Sequence, residues 1–208
     1  MTKRLKSVLG FLVLAAAGCG VAAWAVQPEA KKDPPGAGNE QAMMEAWTKA
    51  MTPGKNHELL KRMNGEWTTT MKAYMGGPDQ EPMTSTGKAT ISSILGGRYS
   101  KQDYTGNMLG TEFQGLGITG YDNIRKLFVG SWVDSMGTGI LTMSGALSPD
   151  EKMITMFGEM NEPMTGEMGK TVKWVTEFKS SDSFTFTAYE VLYGKEFVAF
   201  QIEYTRAK

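Results

Sequence analysis

The chain has 208 residues, with 22 basic and 22 acidic side chains, 41% hydrophobic residues, 25 glycines and 16 methionines. That length allows one domain of ordinary size with flanking segments. Without the first 25 residues, which hold Lys3, Arg4 and Lys6 and no acid, 19 basic groups face 22 acidic ones, a balance that leaves no electrostatic footprint for nucleic acid.

The N-terminus reads as an export signal over residues 1–25. Three basic residues precede an almost wholly apolar run over 8–17, and Ala23-Trp24-Ala25 is the small-x-small pattern that signal peptidase accepts. Two other readings stand beside it. Residues 16–19 (AAGC) are similar to a lipobox whose Cys19 would be acylated, and residues 8–26 form a 19-residue apolar stretch long enough for an uncleaved anchor. Each places the main domain outside the cytoplasm, in the periplasm or beyond, with membrane contact only through this segment. Cys19 is the single cysteine and lies in this leader, so the domain is expected to fold without a disulfide or a thiolate metal site. Residues 26–39, with Pro34-Pro35, glycines and charges, read as a flexible linker.

The domain is expected over 40–208. Met43, Met44, Trp47, Ala50 and Met51 recur at spacings of three and four, which predicts a helix over 40–51 with one apolar stripe packed on the sheet, a reading preferred to a membrane-surface or partner helix because Lys49 is its single lysine. Thr52-Pro53 predicts the cap and first position of a second helix, whose buried side is Leu59, Leu60 and Met63 and which ends at Asn64-Gly65. This second helix is expected to plug one end of the sheet. Alternating segments then predict ten strands, near 66–75, 84–95, 97–104, 111–121, 126–134, 138–146, 152–159, 169–178, 182–191 and 196–205. The connections are short and carry turn residues, so the reading is an all-β, up-and-down antiparallel barrel with short N-terminal helices.

Four motifs carry a family resemblance: residues 57–67 (HELLKRMNGEW), 94–99 (ILGGRY), 115–122 (GLGITGYD) and 132–135 (WVDS). Together they make the chain similar to the DUF1579 family. The resemblance implies a calycin-type, lipocalin-like barrel and no assigned activity. It also implies a closure device, in which a Gly-x-Trp at the first strand, here Gly65 and Trp67, is covered by a basic side chain near the last, here Arg206.

Enzyme signatures are missing from the sequence. His57 is the one histidine, and no nucleophile elbow, P-loop or dinucleotide fingerprint occurs. Asp122 reads as a turn residue and Asp134 as a strand end. No catalytic residue, metal or cofactor is therefore expected. A haem role for His57 is weighed against local hydrogen bonding, and a copper role for Met153, Met156, Met160, Met164 and Met168 against gap filling, the structural reading being preferred in both. A ten-stranded barrel leaves room for a cavity, so the leading expectation is binding of a small, largely apolar molecule. The residues expected to line that site are His57, Arg98, Tyr99, Gln102, Tyr121, Trp132 and Trp174. The alternative is a structural or interaction protein whose barrel is filled by its own side chains; nothing in the sequence sets an oligomeric state.

Overall fold

The structure, a computed structural model, describes residues 40–75, 81–108, 110–162, 166–192 and 195–208. The export signal, the linker and Cys19 lie outside the described residues. Two helices, α1 (Glu40–Met51) and α2 (Lys55–Lys61), lead into β1 (Gly65–Ala73), β2 (Met83–Ile94), a 3-10 turn (Leu95–Gly97), β3 (Tyr99–Met108) and β4 (Thr111–Asp122). They continue through β5 (Leu127–Asp134), β6 (Leu141–Leu147), β7 (Met153–Glu162), β8 (Glu167–Phe178), β9 (Ser183–Leu192) and β10 (Lys195–Arg206). Every strand pairs with its sequence neighbour, and β10 returns to pair antiparallel with β1, from Trp67 opposite Arg206 to Ala73 opposite Phe200. The sheet is a closed ten-stranded meander, as the alternating segments predict.

Seven strands fall within two residues of the predicted bounds; β6 starts three residues later, β7 ends three later, and β3 departs most. β3 runs on to Met108, because the Thr105-Gly106-Asn107 stretch lacks an apolar alternation yet its backbone is fully paired with β4, Gly106 opposite Phe113. Side-chain period and ladder pairing are separate signals, and here only pairing continues.

Register assigns the interior without ambiguity. On β1 the inward face is Trp67, Thr69 and Met71, all buried; their partners lead to Ala89 on β2 and Tyr104 on β3. Going the other way, β10 contributes Ile202 and Tyr204, and β9 contributes Phe184 and Ala188. At the end where β1 starts, α2 lies across the opening. Leu59 and Leu60 are buried there, the Arg62 guanidinium sits 4.7 Å from the Phe178 ring centroid, and Asn64 Nδ2 donates to Ser93 Oγ on β2 (2.8 Å). The plugged half is filled: Trp67 meets Phe184 edge-on at 4.8 Å, Phe184 stacks on Tyr204 at 4.2 Å, and Gln102 reaches across from β3 to donate to Tyr204 Oη (3.0 Å).

The two helices depart from expectation in instructive ways. Thr52 does not cap α2; its hydroxyl donates to Thr48 O (2.6 Å) and finishes α1 instead. The cap of α2 is Gly54, whose N–H donates to His57 Nδ1 (3.0 Å) while His57 N–H donates to Gly54 O (2.8 Å), a reciprocal pair that uses histidine where a capping box usually has Glu or Gln. α1 is not packed on the barrel, since none of its residues is buried. It is held by its last carbonyls, Asn123 Nδ2 donating to Ala50 O (3.0 Å) and Thr52 O (2.8 Å), and Arg98 Nη2 to Met51 O (3.0 Å). Helical periodicity reveals an apolar stripe but not what covers it.

Trp67 is 2% exposed, with its Nε1 donating to Met63 O (2.8 Å). Trp67→Ala is expected to cost about 3–5 kcal/mol, read as a fall in the denaturation midpoint, with the loss of far more stability than any exposed tryptophan would show.

Candidate functional site

The barrel's two ends differ in how well their inward side chains are covered. At the plugged end Phe128, Ile154, Phe184 and Tyr204 are buried. Toward the other end Phe113 and Met143 are buried too, but inward-facing Met108, Trp132, Leu141, Met160, Trp174, Phe186 and Phe200 are only partly buried, against Tyr121 and Leu147 at the plugged end. An inward side chain can keep accessible surface only where the bore admits water. The open half therefore keeps more incompletely covered, largely apolar inward surface than the plugged half.

Its aromatic wall is continuous. Trp174 on β8 meets Phe186 on β9 edge-on at 5.1 Å, and Phe186 lies 6.0 Å from Phe200 on β10. Trp132 on β5 rests over β4, where the inward positions are glycines. A Cβ built on Gly115 would come within 2.5 Å of Trp132 Cη2, and one on Gly117 within 3.1 Å of Cε3. Gly115 and Gly117 thus form a shelf for the indole, whose Nε1 donates to Asp134 Oδ2 (2.9 Å). Asp134 Oδ1 in turn accepts from Met136 N–H (2.9 Å), so this carboxylate orients the ring.

The mouth also carries polar groups. Lys170 on β8 and Glu190 on β9 share the inward phase of Val172 and form an ion pair at 2.7 Å, with side chains 10% and 25% exposed. Burial alone would lower the Lys170 pKa, but the hydrogen bond and charge of Glu190, with Glu162 and Glu167 nearby, outweigh it and raise the value. On β2 the inward Ser85 Oγ is buried without a hydrogen-bond partner among the described residues.

The seven residues predicted to line a site do not come together. Trp132 and Trp174 belong to the open mouth, and Gln102 spans the middle of the bore. Tyr121 faces inward at the plugged end, between His57 (5.9 Å) and Phe128 (5.0 Å). Arg98 and Tyr99 do not line the bore: both are exposed, Arg98 donating to the carbonyls of Leu95 and Met51, and Tyr99 lying on the outer face over Gly120. Alternation fails to place Arg98 because it follows the 3-10 turn, where Leu95, Gly96 and Gly97 all have positive φ. The methionine series splits too. Met156 is buried and Met160 partly buried inside, Met153 and Met168 are exposed, and Met164 lies outside the described residues. Among the described residues no three His, Cys, Asp or Glu side chains converge as a metal site. Phe186, Phe200, Met160 and the Lys170–Glu190 pair were not anticipated as one site; the signal that finds them is register, since all share the inward phase of Trp174.

At the plugged end, Gly65, Trp67 and Arg206 form one unit. The Arg206 guanidinium lies 4.3 Å from the Trp67 ring centroid, and its nitrogens donate to Asn64 O (2.8 Å), Ser181 O (2.8 Å) and Asp182 Oδ1 (3.1 Å). Gly65 has φ +136°, and a Cβ there would collide with Arg206 Nη1, so both its backbone and its bareness are required.

The sequence model for a protein of unknown function, DUF1579, matches residues 52–206. The chain belongs to this family. No curated protein matches the chain. Among solved structures, the DUF1579 chain is similar to Rv2717c from M. tuberculosis, with a TM-score of 0.51 and 10% identity over 76% of this chain and 100% of that one. A redesigned β-barrel is matched with a TM-score of 0.37 and 14% identity over 72% of this chain and 96% of that one. At these identities the likeness to Rv2717c is one of fold.

His57 is 4% exposed. Burial holds its pKa below the ordinary histidine value, against the raising effect of backbone hydrogen bonds at Tyr121 and Gly54, and Arg98 lowers it further. The folded chain therefore binds this proton less readily than the unfolded one. The stability it contributes is complete above the unfolded value, ~6.5, and is lost as pH falls through the lower folded value. Denaturation midpoints are expected to drop as pH falls below about 6.5, and His57→Gln is expected to flatten that part of the profile.

Proposed function

We propose that this protein is an exported barrel that binds a small, largely apolar molecule non-covalently in the open half of its bore, without catalysing a reaction. The observation that carries this reading is the inward but only partly buried surface of Trp132, Trp174, Phe186 and Phe200. Burying such surface is favourable by about 25 cal/mol per Å². Covering about 300 Å² would contribute about 7 kcal/mol before ordering costs, which sets an expectation of modest affinity. The Lys170–Glu190 pair and the Ser85 hydroxyl supply polar contacts that would orient such a molecule. Two concavities lie outside the bore: a groove of about 600 Å³ between α1 and Pro53-Gly54, and one of about 280 Å³ beside α2 and Leu147. Both are wide open to solvent and lack an aromatic wall.

The filled plugged half favours a second reading, a structural or interaction protein of the cell envelope. A binding titration separates the two. With N-phenylnaphthylamine as the probe, saturable fluorescence is expected together with quenching of tryptophan emission, and Trp174→Ala is expected to weaken the probe about tenfold, equivalent to about 1.4 kcal/mol. Absence of saturation in the folded protein would favour the filled barrel. Export rests on the pattern of residues 1–25. The intact mass of protein taken from its native envelope is expected to correspond to a chain starting at Val26; a mass retaining an acylated Cys19 would instead support the lipoprotein reading.

A further inference from the structure

We propose that the plugged end of the barrel, together with α1, docks on an anionic lipid surface and leaves the open mouth facing away from it. The inference rests on an apolar patch and its charge. Leu95 and Ile124 are exposed at 70% and 72%, large values for aliphatic side chains at turn tips. They are neighbours through the end of α1: Arg98 donates to both Leu95 O and Met51 O, while Asn123, beside Ile124, donates to Ala50 O and Thr52 O. The helix held between them exposes its own apolar residues, Trp47 at 64% with Met43 and Met44. Apolar tips and an unburied amphipathic helix sharing one end of a molecule form the kind of patch that a soluble surface ordinarily avoids.

Charge decides the occupant. Arg98, Arg125 and Lys126 stand around these tips, all exposed and none in a salt bridge among the described residues; with Lys49 of α1 they face Asp122 and the helix's Glu40 and Glu45, four cations against three acids. Arg125 is close enough to Asp122 to help hold that carboxyl low, after the backbone hydrogen bond that the carboxylate accepts from the same residue. The open end also exposes apolar residues, Met136, Ile140 and Met168, but its charges have the opposite sign: Glu162, Glu167 and Glu190 gather around Lys170. An anionic surface therefore favours the plugged end over the mouth. The chain also enters α1 from residues 26–39, which follow directly on the apolar stretch of residues 8–26. A cleaved signal would remove that stretch without altering the patch.

The test uses the full chain carrying Cys19→Ser, with an environment-sensitive fluorophore attached after Leu95→Cys, Ile124→Cys or Met136→Cys. Vesicles of phosphatidylcholine alone are compared with vesicles of phosphatidylcholine and phosphatidylglycerol in equal parts. Blue-shifted, several-fold brighter emission is expected at positions 95 and 124 on the anionic vesicles, with position 136 unchanged. Arg125→Glu with Lys126→Glu is expected to abolish the preference for anionic lipid. Water-like emission at 95 and 124 while the chain floats with the vesicles would overturn the proposal, as would an equal response at position 136. A response without vesicles that grows with protein concentration would overturn it in favour of a second copy of the chain.

Discussion

A barrel of consecutive hairpins is held shut by one pairing that is not local, and here that is β1 with β10. Its ladder is reinforced at a single residue. Arg206 stands opposite Trp67 in the register, covers the indole, and donates to carbonyls at the end of α2 and in the turn before β9. A guanidinium is suited to this because its planar fork can serve several carbonyls while its face stays on the ring. Gly65 leaves the space that the guanidinium occupies. Because the ladder from Trp67–Arg206 to Ala73–Phe200 sets the register of the seam, it also determines which residues of every other strand face inward.

Ordering of the plugged end has a consequence for the other. Leu59, Leu60, Trp67, Phe184 and Tyr204 fill the interior beneath α2, and Gln102 bridges the bore to Tyr204, whose hydroxyl burial pushes far above its ordinary pKa. Apolar contact and cross-bore hydrogen bonding are thus concentrated where the helix sits. The opposite half has no helix laid over it among the described residues, and its aromatic side chains lean along the wall, Trp174 on Phe186 and Phe186 beside Phe200. Trp132 shows how: Gly115 and Gly117 let the ring lie flat against β4, and Asp134 keeps it there. A barrel built this way is filled at one end and less completely covered at the other.

The fold was readable from residue alternation because antiparallel neighbours joined by short turns leave few other arrangements for ten half-buried strands. The site was less readable. Trp132 and Trp174 share a mouth with Phe186, Phe200 and the Lys170–Glu190 pair, yet these residues are scattered over β5, β8, β9 and β10, and only strand register shows that they face one space. Arg98 and Tyr99 sit beside a conspicuous Gly96-Gly97 turn, and that turn is what carries them to the outer surface. The helix over 40–51 was legible as a helix, but its partner was not, because amphipathicity is a property of one segment and packing is a property of two.

The two ends of the molecule also differ in charge. Around the mouth, acidic residues outnumber the lysines that pair with them; around the plug, exposed Arg98, Arg125 and Lys126 stand near uncovered Leu95 and Ile124. Formal neutrality of the whole chain hides this separation. A mouth more acidic than the plug would bias orientation at a charged surface even when net attraction is small, since each end meets the surface potential separately within about a Debye length, ~8–10 Å. In the proposed orientation the half of the bore with incompletely covered inward surface would be the half turned toward solvent. The closure of the plugged end would then suit it to bear on a surface, because the contact would fall on the filled half and leave the other undisturbed.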